Sequence, residues 1–130
     1  EGRRGVGASV SRAGLYGLDA GYMARANDEI SIWVQVESRL ALENLDAICA
    51  VPGLDCVFIG PADLAADLGV ETDDPDFLAT LETAIARIAA TGMAPGIFAA
   101  DPERWVAAGA RIVAMGSDGA ILASGLKALL

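Results

Sequence analysis

Four short apolar runs, each followed by a stretch with helical spacing, constrain this chain more than any other feature. Ile30 to Val36, Leu54 to Ile59, Ala94 to Ala99 and Arg111 to Met115 carry the β-branched and apolar density of buried strands. After the first run, Leu40, Leu42, Leu45, Ile48 and Cys49 recur at helical spacing. After the second comes a short Ala-rich piece, Ala62 to Leu68, and then a longer predicted helix from Asp76 to Thr91, with Phe77, Leu78, Leu81, Ile85 and Ile88 on one stripe. Pro75 stands where a helix start tolerates proline, and Gly92 stands where a helix end favours glycine. After the third run, Asp101-Pro102-Glu103 reads as an N-cap, a first-position proline and an acidic first turn. After the fourth, Ser117-Asp118 opens a predicted final helix to Leu130.

A β-α order repeated four times with short connections predicts an α/β fold, a parallel sheet with helices outside it. Four such units cannot close a barrel by themselves. The first 29 residues differ: Arg3 to Ser11 is a Gly-rich polar loop by composition, and Tyr16 to Asn27 is predicted helical, with Asn27-Asp28 ending it. The expected division is therefore residues 1–29, a loop and helix, and residues 30–130, the βα region.

With 54% apolar residues in 130, there is material for a real core, yet Asp, Glu, Arg or Gly interrupts every apolar run. None approaches the roughly 20 residues of a membrane span. The opening Glu1-Gly2-Arg3-Arg4-Gly5 has neither a methionine nor an apolar signal region and reads as a cut end. A net charge of −9 and a pI near 4.2 disfavour nucleic acid and anionic membrane as partners, because both need concentrated Lys and Arg. Cys49 and Cys56 lie in apolar surroundings without a second Cys pair, so both read as buried thiols in a reducing cytoplasm. There is no histidine, which removes imidazole bases, imidazole ligands and Ser-His or Cys-His pairs. Chemistry here must use carboxylates, Arg, Ser, Tyr, backbone groups and a metal.

Active sites of parallel α/β folds lie at the C-terminal strand ends. At the end of the first run, strand alternation puts Gln35 and Glu37 on one face and Val34 and Val36 on the other. A carboxylate on an inward face is costly unless something positive sits beside it, and a metal ion answers that need. The second run ends Gly60-Pro61-Ala62-Asp63, a sharp turn into a helix whose first N–H groups are unpaired and suit a bound carboxylate. Glu37 with Asp63 makes two hard oxygen ligands, suited to Mg²⁺, Mn²⁺ or Co²⁺. Plainer readings stand beside this one. In these, Glu37 pairs with Arg39 or a helix N-terminus, and Asp63 is a simple N-cap.

At these same residues the chain resembles a known family. Arg4-Gly5-Val6-Gly7-Ala8-Ser9, Ala26-Asn27-Asp28, Val34-Gln35-Val36-Glu37-Ser38-Arg39, Gly53 to Leu64 and Ala94-Pro95-Gly96-Ile97 together resemble, in order, the HpcH/HpaI aldolases, in particular those acting on 4-hydroxy-2-oxoheptanedioate and 2-dehydro-3-deoxyglucarate. The resemblance implies the C-terminal half of a (β/α)₈ TIM barrel and a metal-dependent carbon–carbon lyase working through a pyruvate enolate. It implies Glu37 and Asp63 as metal ligands, and Gln35, Ala62 and Asp63 as the substrate-binding set. Phe98 would face the aldehyde part of the pocket, with a barrel-core role as the alternative. The loop around Val6 and Gly7 resembles one that borders a neighbouring subunit's site, with a flexible connector as the alternative.

Members of the family are about twice as long, and their first half carries the catalytic His and an enolate-stabilising Arg. The resemblance therefore implies no catalytic base in this chain, which by itself would be incomplete and need a complementary N-terminal half or a homo-oligomer. Its substrates would be pyruvate and an aldehyde, or the corresponding 2-oxo acid. Two other classes remain: an acyl-CoA lyase of the citrate lyase beta type, against which the scarcity of Lys counts, and a non-catalytic half-barrel that assembles through its strand edges.

Overall fold

The computed structural model describes Gly5 and residues 7–129. Val6 and the residues before Gly5 lie outside the described residues, so the expectation for Val6 does too. The chain divides between Ser31 and Ile32 into two compact units.

The leading unit holds a 3₁₀ turn, Ala8–Val10, a kinked segment of 3₁₀ turns, Arg12–Gly17, and helix α1, Tyr22–Glu29. A helix from Tyr16 to Asn27 is not what forms. Leu15 and Tyr16 take positive φ (48° and 56°), the Asp19 carboxylate accepts a 3.0 Å bond from Gly21 N, and the helix begins only at Tyr22. Gly14, Gly17 and Gly21 break the earlier helical pattern, while the Asp19 turn sets the new start. Arg25 then bonds Asp19 at 2.9 Å and Glu29 at 2.6 Å, an exposed pair of ion pairs that holds Asp19 ionised to lower pH than usual.

The second unit is a four-stranded parallel sheet in the order β1-β2-β3-β4 with its helices in the connections. Its elements are β1 (Trp33–Val36), α2 (Arg39–Glu43), α3 (Leu45–Cys49), β2 (Cys56–Ile59), α4 (Pro61–Leu68), α5 (Pro75–Ala90), β3 (Ala94–Phe98), α6 (Pro102–Ala108), β4 (Ile112–Ala114) and α7 (Asp118–Lys127). Each strand is shorter than its apolar run. At the first, the ladder begins past Ile30 and Ser31, because Ile32 is already bonded to Asp55: its N–H donates to the Asp55 carboxylate at 2.7 Å and its carbonyl accepts from Asp55 N at 2.9 Å. The first helical stretch also breaks in two at Asn44, whose amide nitrogen donates to the Leu40 carbonyl. The last helix is described to Lys127, short of Leu130.

Strand alternation sorts the sheet into two faces. Val36, Val57, Ile59 and Ile97 point to the helices and meet Leu45, Leu64, Phe77, Leu81, Ile85 and Ile88 in one buried core. Each fully buried aliphatic side chain there contributes about 1.5–3 kcal/mol relative to exposure. Helix α5 buries Phe77, Leu81, Ala84, Ile85 and Ile88, the 3.6-residue stripe of its sequence. It starts at Asp74, whose carboxylate accepts from Asp76 N and Phe77 N, with Pro75 at the first position, and it ends before Gly92 at φ 86°. Cys49 and Cys56 are both buried and unpaired, and burial pushes both thiols above their ordinary pKa. Among the described residues no helix is long and apolar enough to cross a membrane.

The other face of the sheet carries Trp33, Gln35, Cys56, Phe58, Gly96 and Phe98, in the rows set by the parallel register. No helix of this unit covers it fully. Trp33 remains 51% exposed and Phe98 47%.

Candidate active site at the strand ends

The site grows out of three local choices in the sequence. First, β1 sends Gln35 to the face away from the helices, and Glu37, two residues on, follows it there. Second, Gly60 ends β2 opposite them. A Cβ at Gly60 would lie 2.5 Å from Gln35 Nε2 and 3.2 Å from both Cβ and Oε2 of Glu37, so the missing side chain is the space into which Gln35 and Glu37 converge. Third, Gly60 is the N-cap of α4 and Pro61 its first residue, which turns the chain at once into a helix.

Asp63 therefore sits at the third position of α4, in its first turn. The simple N-cap reading of Asp63 does not hold, because Gly60 occupies that position and no side chain caps the helix. The pairing of Glu37 with Arg39 does not form either. Among the described residues no ion pair or hydrogen bond reaches the carboxylates of Glu37 or Asp63. The Arg39 backbone N–H donates to Asp67 at 2.7 Å. Pro61 has no N–H, and Leu64 N is the first to bond back, to Gly60 O at 3.0 Å, which leaves the N–H groups of Ala62 and Asp63 available at the positive end of the helix.

These groups share one cleft of about 450 Å³, lined by Gln35, Phe58, Gly60, Pro61, Ala62, Asp63, Thr72 and Phe98. The structure thus brings Gln35, Ala62, Asp63 and Phe98 together, with Glu37 against Gly60 at its edge. Gly7 is exposed and belongs to the leading unit. Phe98 lines the cleft and is half exposed on the face away from the helices, outside the helix-side core.

Phe58 and Thr72 were not singled out from sequence. Phe58 was within reach, because alternation puts it in the row of Gln35; its ring stacks on Trp33 at 6.4 Å and lies over Gly96, where a Cβ would come within 2.5 Å of Phe58 Cδ2. Thr72 had no such signal, since the path of the loop from α4 to α5 brings it there.

Two hard carboxylates without a cationic partner, Glu37 beside Gly60 and Asp63 in the first turn of α4, are in donor chemistry and in charge the kind of ligand a hard divalent cation takes. Among the described residues no group of three His, Cys, Asp or Glu side chains is placed to hold a metal.

Residues 2–125 match the family described as HpcH/HpaI aldolase/citrate lyase. A 2-keto-3-deoxy-L-rhamnonate aldolase of Klebsiella pneumoniae is 54% identical over 122 residues, covering 90% of this chain and 46% of the relative. Among solved structures, an HpcH/HpaI aldolase/citrate lyase family protein from Burkholderia cenocepacia superposes with a TM-score of 0.78 at 36% identity, covering 98% of this chain and 52% of that one. An HpcH/HpaI aldolase from Desulfitobacterium hafniense superposes with a TM-score of 0.71 at 31% identity, with the same coverage. The chain spans about half the length of the curated relatives it matches.

Proposed function

The chain belongs to the HpcH/HpaI aldolase/citrate lyase family, and from that premise we propose that it supplies the metal and pyruvate half-site of an aldolase. The reaction is the cleavage or formation of a carbon–carbon bond in a 2-keto-3-deoxy or 4-hydroxy-2-oxo acid, by way of a pyruvate enolate, with an aldehyde as the other product or reactant. The observation that carries this reading is the convergence of Gln35 and Glu37 on Gly60, which lines one cleft with Gln35 and the first turn of α4.

In this reading Glu37 and Asp63 hold Mg²⁺, Mn²⁺ or Co²⁺. When bound, such a cation supplies Lewis-acid stabilisation of the charge that develops on a keto oxygen. The N–H groups of Ala62 and Asp63 bind the carboxylate of the 2-oxo acid at the positive end of α4. Gln35, held beside Glu37, donates its amide hydrogens to an oxygen of the same acid and orients it. Phe58, Pro61 and Phe98 give the cleft an apolar wall that keeps water from the reacting carbons.

The chain has no histidine, and none of the cleft side chains is a neutral base, so the group that takes the hydroxyl proton during cleavage comes from outside it. A complementary half-barrel would bring that group. The open edges of β1 and β4 and the half-exposed Trp33 and Phe98 support such a partner, whether a first half-barrel or further copies in an oligomer. The unpaired buried thiols suit the cytoplasm, where we place the enzyme.

The test is thermal unfolding of the chain, alone and assembled with a first half-barrel, with and without Mn²⁺ plus oxalate, an analogue of the pyruvate enolate. Ligand at about 100 times its dissociation constant stabilises by about 2.7 kcal/mol. The shift is expected to disappear in Glu37→Ala and in Asp63→Ala. A shift that survives both substitutions would sink the half-site.

A further inference from the structure

We propose that Thr72 is a specificity residue whose hydroxyl hydrogen-bonds to a hydroxyl group on the aldehyde portion of the substrate, so that the cleft favours hydroxylated aldehydes over plain alkyl ones; this rests on the aldolase reading above. The chain has four threonines, and three of them commit their hydroxyls to a backbone carbonyl. Thr80 donates to Asp76 O at 2.8 Å, Thr83 to Ala79 O at 2.9 Å and Thr91 to Ile88 O at 2.7 Å. Thr72 alone makes no hydrogen bond among the described residues, and it alone lines the cleft.

The hydroxyl is carried on a tied turn. Asp74 N donates to Glu71 O at 3.2 Å across the turn, and the Asp74 carboxylate accepts from Asp76 N and Phe77 N, which anchors the loop to α5. On the other side Val70 N donates to Ala65 O at 3.0 Å and anchors it to α4. A residue on a backbone tied in this way loses little main-chain freedom when it binds a ligand.

What remains in the cleft identifies its partner. With Gln35, Ala62 and Asp63 taken by the metal and the 2-oxo acid head, Phe58, Pro61 and Phe98 offer only apolar surface. Thr72 is the one cleft side chain left that donates or accepts a hydrogen bond. A hydroxylated aldehyde has both features this pairing serves, C–H groups for the Phe98 ring and an O–H for the Thr72 oxygen. A plain aldehyde uses only the first.

The experiment compares kcat/KM for glyceraldehyde and for propanal, each with pyruvate, in the complete barrel enzyme. Thr72→Val keeps the shape and removes the hydrogen bond, and it is expected to lower the glyceraldehyde-to-propanal ratio by roughly threefold to tenfold. Thr72→Ser retains the hydroxyl and is expected to retain the ratio. An unchanged ratio in Thr72→Val, or the same loss in Thr72→Ser, refutes the role of Thr72 while the aldolase reading stands. Absence of turnover with both aldehydes in the unsubstituted enzyme refutes the aldolase reading, and this assignment with it.

Discussion

A single methyl group at Gly60 separates the fold from the site. The Cβ of Gly60→Ala would sit 2.5 Å from Gln35 Nε2, whereas ordinary contact begins at 3.4 Å, so the Gln35 amide must retreat by the difference, 3.4 − 2.5 = 0.9 Å. Glu37 must give by a few tenths of an ångström, because its Cβ and Oε2 are both at 3.2 Å. The backbone is indifferent: φ −98° and ψ 90° at Gly60 are open to alanine. The Gln35 amide is the far end of a flexible side chain, so the cost in stability should fall near the low end of overpacking, about 1 kcal/mol. In a whole barrel that corresponds to a fall of about 2–4 °C in the unfolding midpoint. For the site the consequence is far larger, since a displacement of about 1 Å in a positioning group can cost two orders of magnitude in rate. The assay is kcat/KM for aldol addition of pyruvate in the complete barrel, measured beside the thermal midpoint. A folded Gly60→Ala enzyme with unsubstituted turnover would refute the reasoning, because the convergence on Gly60 would then have no bearing on the chemistry.

Gly96→Ala puts a Cβ 2.5 Å from Phe58 Cδ2 and 3.1 Å from Cys56 Sγ in a buried strand. It should cost about 1–3 kcal/mol and change Trp33 fluorescence through the stacked Phe58 ring; an unaltered midpoint would count against it. Asp74→Ala removes the cap that serves Asp76 N and Phe77 N, and should lower the midpoint by an amount equivalent to about 1 kcal/mol in calorimetry. Gly125→Ala, in α7 with no atom within 4 Å of the new methyl, should raise stability by about 0.5–1 kcal/mol in urea unfolding. Burial raises the Cys56 thiol above its ordinary 9.0, so the folded state holds that proton more tightly than the unfolded chain. The corresponding stability is fully present below pH 9.0 and is lost as pH rises through the folded value; Cys56→Ala should flatten the alkaline fall in midpoint, and identical profiles would contradict this.

The sequence by itself determined the order and kind of the elements, because their signals are local. Period-two and 3.6-residue apolar patterns, Pro75 and Pro102 at helix starts, and Asp101 and Ser117 as N-caps act within a few residues, and each element formed where they stand. The facing of Gln35 and Glu37 was legible for the same reason, since alternation along one strand needs no partner. Boundaries were less legible. Ile30 and Ser31 are as β-prone as their neighbours, and only the bonds between Ile32 and Asp55 mark where pairing starts. The pattern across Tyr16 to Asn27 suggested one helix until the Asp19 turn and the left-handed Leu15 and Tyr16 divided it.

Tertiary structure decided which residues meet. That Gly60 is the space for Gln35 and Glu37 depends on the register of β1 against β2, and that Gly96 lies beneath Phe58 depends on the register of β2 against β3. Thr72 reaches the cleft through the path of a loop between two helices, and the Arg39 N–H meets Asp67 because α4 docks beside the start of α2. Contacts between residues far apart in the chain are set by the docking of whole elements, and no local pattern carries that information.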